Sequence, residues 1–76
     1  ASPKEIFNYA IREGADALII MHNHPSGIVT PSNADKMLTN SIIETGKVIG
    51  IPLLDHIITN GKEYYSFFDN EVTNEV

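Results

Sequence analysis

The 76-residue chain has no cysteine and no tryptophan. Without cysteine there can be no disulfide staple and no thiolate metal site. Basic residues are also scarce: five Lys and Arg face ten Asp and Glu, for a formal net charge of −5. That balance opposes the phosphate neutralisation on which general nucleic-acid binding depends, so direct nucleic-acid contact is not expected. No apolar run is long enough to cross a bilayer. No leader pattern precedes the apolar runs, so a soluble cytoplasmic protein is the expectation. There is no repeat and no low-complexity segment. What remains is the composition of a globular domain, 42% apolar and 20% charged. At this length it is one domain at most, with a thin core.

Read along the chain, "SPKE" at residues 2–5 is a helix start: a serine cap, a first-turn proline and a carboxylate three residues after the cap. Ile6, Phe7, Ala10 and Ile11 form one stripe, and Gly14 is the stop. Residues 15–21 are apolar on both faces, which predicts a central strand covered above and below. Residues 22–30 form a loop punctuated by Pro25 and Gly27. A second helix is expected from about Thr30, with Pro31 in its first turn. Its stripe would be Ala34, Met37, Leu38, Ser41, Ile42, Thr45, Val48 and Ile49, ending at Gly50 and Pro52. "LLDHIIT" is a second strand, Asn60-Gly61 a two-residue hairpin turn, and "KEYYSFF" a third strand. Residues 69–76 read as a frayed acidic tail. The order helix, strand, helix, strand, hairpin, strand predicts an α/β fold, in which a strand–helix–strand crossover makes a parallel pair and an antiparallel strand is added at one edge. Ligands in such sheets gather where strands end and helices begin.

"HNHPSG" at residues 22–27 occupies that place. In extended chain, residues i and i+2 project to one side, so His22 and His24 can meet one ion. A mononuclear catalytic zinc usually takes three protein ligands and keeps a fourth position for water. Asp35 is the candidate third ligand, because it lies in the first turns of the next helix, where the helix dipole favours a carboxylate. Two imidazoles and one carboxylate would leave zinc one net positive charge, enough to draw the pKa of a bound water toward neutrality. Spacing alone also accommodates a polar turn that merely caps the loop. The letters HNH do not point to the nucleases named for them, whose residues are spread through a longer strand–helix motif.

The hexapeptide followed by "TPSNAD" resembles the RadC family of bacterial proteins (UPF0758-like), and more widely the JAB/MPN (JAMM) metalloprotease motif of His-x-His-Pro and then Ser-x-x-Asp. Here those positions are His22, His24, Pro25, Ser32 and Asp35. "PKEIFNYAI" and "LLDHIIT" extend the likeness over nearly the whole chain. The resemblance implies a cytidine-deaminase-like α/β sandwich with a mixed sheet, one zinc ion per chain held by His22, His24 and Asp35, and hydrolysis of a peptide or isopeptide bond. It assigns Ser32 to oxyanion stabilisation, where the alternative is a serine that only caps the helix.

JAMM hydrolysis also uses a glutamate general base on a strand upstream of the first helix. Glu5 fits a cap and Glu13 a helix end, so neither takes that role. Residues 1–76 are therefore expected to form the C-terminal part of the domain. With that strand outside these residues, an open sheet edge invites pairing with another chain, and a homo-oligomer is expected. The alternative function is a non-catalytic, metal-binding interaction module associated with DNA repair or mobile elements. Asp55 and His56 read as a strand-end aspartate and a satisfied core histidine, the competing role being support of a metal-bound imidazole. Tyr64, Tyr65, Phe67 and Phe68 read as packing residues.

Overall fold

A computed structural model describes residues 2–70 and shows an α/β unit with a three-stranded mixed sheet. Its elements are α1 (Pro3–Arg12), β1 (Leu18–Asn23), α2 (Asn33–Ile49), β2 (Leu53–Thr59), β3 (Tyr64–Ser66) and α3 (Phe67–Asn70). The sheet order is β1-β2-β3, with β1 and β2 parallel and β2 and β3 antiparallel. The crossover, the parallel pair and the antiparallel addition are as the sequence predicts. Among the described residues no helix is long and apolar enough to cross a membrane.

The start of α1 follows its signals: Ser2 Oγ accepts from the Glu5 amide, and Pro3 opens the first turn. Phe7 and Ala10 are buried, whereas Ile11 is exposed. Phe7, Ala10, Ile42, Ile51 and Leu53 form the core, with Ile6, Leu18, Ile20 and Leu38 packed against it. Both helices thus share one core with the inner face of the sheet.

Several boundaries differ from expectation. β1 is an edge strand of the described sheet, not a central one. Leu18 and Ile20 point to the core while Ile19 and Met21 are 58% and 68% exposed. The strand also runs on to Asn23, so His22 continues the inward row begun by Leu18 and Ile20. A register shift lets Leu18 pair with Leu53 and Ile19 with Asp55, bypassing Leu54. That extra residue allows Leu53 and His56, three apart, both to be buried.

α2 begins at Asn33 rather than near Thr30, because Ser32 and Asp35 make a capping box there. Its buried residues are Asp35, Thr39, Ile42 and Gly46, whereas Met37 and Val48 of the expected stripe are exposed. Gly46 explains the rotation: its carbonyl accepts from both Gly50 and Ile51, and the chain passes directly over it.

The hairpin loop is four residues, not two. Asn60 Oδ1 accepts from the Lys62 and Glu63 amides, and the strands resume at Thr59 and Tyr64. β3 stops at Ser66, because the Asp55 carboxylate takes the Phe68 amide and Ser66 Oγ takes that of Asp69, starting α3. Asp69 and Asn70, expected in the frayed tail, are therefore helical; the rest of that tail lies outside the described residues.

Candidate metal centre

The strand end and the helix start meet at three side chains. His22 Nδ1 lies 3.0 Å from Asp35 Oδ1, and His24 Nε2 lies 3.3 Å from Asp35 Oδ2. One ligand atom from each of the three residues lies within 4.8 Å of the others, a spacing that suits a single ion. The two imidazoles meet edge-on, with ring centroids 4.7 Å apart.

His24 is oriented from behind. His24 Nδ1 lies 2.9 Å from the Ile28 carbonyl, which only an Nδ1–H can satisfy. Its Nε2 is therefore the nitrogen turned toward Asp35. The His24 amide donates to Thr59 O, which extends the strand pairing one residue beyond β1 and fixes the loop root. Asn60 Nδ2 donates to Gly27 O, so the hairpin loop also braces the histidine loop.

Asp35 is 4% exposed. Burial pushes its carboxyl up, but hydrogen bonds from the Ser32 backbone and side chain, together with the two histidines, outweigh burial and hold it below the usual aspartate value. Ser32 N donates to Asp35 Oδ2 at 2.8 Å, and Asp35 N donates to Ser32 Oγ at 3.1 Å. The carboxylate is thus held ionised at the positive end of α2, ready to neutralise a cation.

Three ligand atoms, two imidazole nitrogens and one ionised carboxylate oxygen, are a donor set that fits a divalent transition metal. Ser32 has the helix-cap role that the sequence allowed as its alternative. It stands beside Asp35, so its hydroxyl is also close to the centre.

A family model described as a RadC-like JAB domain matches residues 1–72. The chain belongs to that family. Curated relatives agree. A UPF0758 protein of Chlorobium chlorochromatii is 54% identical over 65 residues, covering 86% of this chain and 29% of the relative. One from Clostridioides difficile is 49% identical over 70 residues, covering 92% and 30%. One from Thermotoga maritima is 42% identical over 65 residues, covering 86% and 29%. This RadC-like chain therefore spans about 30% of the length of the curated relatives it matches.

The structure brings Asp55 and His56 to different jobs. Asp55 is inside β2 rather than at its end, and it caps α3 by accepting from the Phe68 amide and from Ser66 Oγ. "SFFD" at residues 66–69 repeats the Ser-x-x-Asp spacing of "SNAD", the signal that would have placed α3. His56 is fully buried, stacked between His22 and Phe67, with ring centroids 6.0 Å and 4.7 Å away. Burial holds its pKa below the usual histidine value, partly offset by Asp35, so the ring is neutral. Its Nδ1 meets Thr39 Oγ1 at 2.6 Å, but its Nε2 has no hydrogen-bond partner among the described residues. The expected satisfied core histidine is therefore satisfied at one nitrogen only. Thr39, which lies outside the apolar stripe expected of α2, enters the site through that contact. A cavity of about 380 Å³ adjoins the centre, lined by His22, Asp35 and His56 together with Ile6, Ile20 and Leu38.

Proposed function

We propose that this chain is the metal-carrying part of a zinc-dependent hydrolase that cleaves a peptide or isopeptide bond. The observation that carries the reading is the convergence of His22, His24 and Asp35 within 4.8 Å, in a chain of the RadC-like JAB family. Zinc suits two imidazoles and a carboxylate, and one ion per chain is what three such donors hold. When bound, zinc supplies Lewis acidity, which polarises a carbonyl and brings a water's pKa toward neutrality.

The chain's own residues do the rest. His24, tied to Ile28 O, presents Nε2 in a fixed orientation. Asp35 brings the negative charge, kept ionised by Ser32. His22 has a side chain 43% exposed, which leaves the centre open to a substrate from solvent. Ser32 Oγ accepts from the Asp35 amide, and its hydroxyl proton is the donor we assign to the oxyanion of the attacked carbonyl. We assign no residue here as the general base. Glu5 is engaged with the Ser2 hydroxyl, and the role is expected from a strand outside these residues.

Metal analysis of untagged protein tests the reading. The expected result is one zinc per chain, with binding weakened at least tenfold by Asp35→Ala. Protein that carries no zinc as purified and takes none up on titration rejects it. Hydrolysis of a panel of peptide and isopeptide substrates by the longer protein containing this chain, abolished by chelation and restored by zinc, is the expected activity. A zinc-loaded protein that cleaves none of the panel overturns the hydrolase assignment and leaves the metal site standing.

A further inference from the structure

His56 and Thr39 lie behind the metal centre and touch two of its donors from the side away from solvent. The His56 ring lies nearly parallel to that of His22, with an interplanar angle of 14° and centroids 6.0 Å apart. Phe67 backs it on the other face at 4.7 Å and 10°. Its Nδ1 is 2.6 Å from Thr39 Oγ1, and Thr39 Oγ1 donates to the backbone carbonyl of Asp35 at 2.8 Å. A hydroxyl has one proton to give. With that proton on Asp35 O, Thr39 can only accept from His56, which fixes a proton on His56 Nδ1. The contacts therefore form a chain: His22 ring, His56 ring, Thr39 hydroxyl, Asp35 backbone. It runs from β1 through β2 to α2.

The unpartnered Nε2 makes this arrangement informative. A core position needing only volume and a flat face is better filled by phenylalanine, as the adjoining Phe67 shows. The imidazole carries a buried nitrogen with no partner among the described residues, a destabilising feature. What it supplies in exchange is Nδ1–H, the one atom that reaches Thr39.

We propose that His56 and Thr39 are positioning residues of the metal centre, a bracket that holds the plane of the His22 imidazole and the first turns of α2 at the separation a single ion requires. The proposal rests on the metal reading above. Neither residue is a ligand. His56 acts through His22, and Thr39 acts through His56 and Asp35.

The test compares four variants with wild type in untagged full-length protein. Zinc affinity is read by competition with a chromophoric chelator, and donor geometry by the visible spectrum of the Co2+-substituted protein. His56→Phe keeps the stack between His22 and Phe67 and removes the link. Thr39→Val keeps the volume and removes the hydroxyl. Each is expected to weaken zinc binding about tenfold or more and to alter the Co2+ spectrum. The double variant is expected to be no worse than the weaker single one, because both break the same chain. Thr39→Ser, which keeps the hydroxyl, is expected to restore wild-type affinity and spectrum. A purely structural role predicts lower melting temperatures in the metal-free variants, with unchanged affinity and spectrum in the folded protein; that result overturns the proposal. If His56→Phe does not fold, Thr39→Val and Thr39→Ser decide between the same two outcomes. Wild-type protein that binds neither Zn2+ nor Co2+ overturns the metal reading and the bracket together. Wild-type binding with indistinguishable variants overturns the bracket alone.

Discussion

Ser32 joins a helix start to a candidate ligand through two reciprocal hydrogen bonds with Asp35. Only one of them passes through its side chain, so the effects of substitution separate. Ser32→Ala removes the cap at Oγ but leaves the backbone N–H on Asp35 Oδ2. The expected cost is about 1 kcal/mol of stability, read by thermal or denaturant unfolding, with most of it recovered in Ser32→Thr. If Ser32 also donates to an oxyanion, kcat of the zinc-loaded longer protein falls by roughly 10²–10³-fold in Ser32→Ala. An unchanged kcat confines Ser32 to its cap. At this scale the sequence was informative where the chemistry is local. His22, His24, Ser32 and Asp35 all lie within fourteen residues, and extended spacing and a capping pattern are enough to bring them together. Thr39 and the Nδ1 of His56 are seventeen residues apart and meet only through the packing of α2 on β2, which no local pattern encodes.

Among the elements, α2 shows how packing overrides periodicity. An apolar stripe through Met37 and Val48 is real in the sequence, yet both residues face solvent. The helix is turned so that Gly46 lies under the chain at Ile51 and Pro52. A Cβ built on Gly46 would stand 2.5 Å from the Ile51 carbonyl oxygen, a backbone atom that cannot swing aside. In an exposed helix interior, Gly→Ala usually stabilises by up to about 1 kcal/mol. Here Gly46→Ala is expected to destabilise by about 1–3 kcal/mol, as overpacking does. Chemical denaturation gives the sign directly, and a stabilised variant would falsify the close approach of α2 to the β2 entrance. The same lesson applies to β3, whose aromatic run reads as one strand through Phe68. A carboxylate from a different strand, Asp55, captures the Phe68 amide and turns the chain into α3.

The described residues form a flat unit, with extents of 33 × 29 × 19 Å. Both longer helices contribute to the core on the inner face of the sheet. The outer face presents Ile19, Met21 and Leu54, each more than half exposed, and β1 forms one border of the described sheet. Apolar residues at an open strand edge favour association. The 76-residue chain by itself is expected to self-associate in a concentration-dependent way, and Ile19→Lys with Met21→Glu is expected to shift it toward monomer. Sedimentation velocity over a dilution series measures both, and a monomer at every concentration removes the edge as an interface. The apolar run at residues 15–21 predicts burial on both faces, but the structure covers only the face that carries Leu18 and Ile20, because periodicity reports which residues are apolar and not how many layers pack on them.

Asp35 faces His22 with Oδ1, while the Ser32 amide already occupies one side of Oδ2. Oδ2 also lies 3.3 Å from His24 Nε2, so each carboxylate oxygen is turned toward one imidazole. The hydrogen bond that begins a helix thus also aims a side chain: one backbone N–H at Ser32 sets how the Asp35 carboxylate faces the two imidazoles.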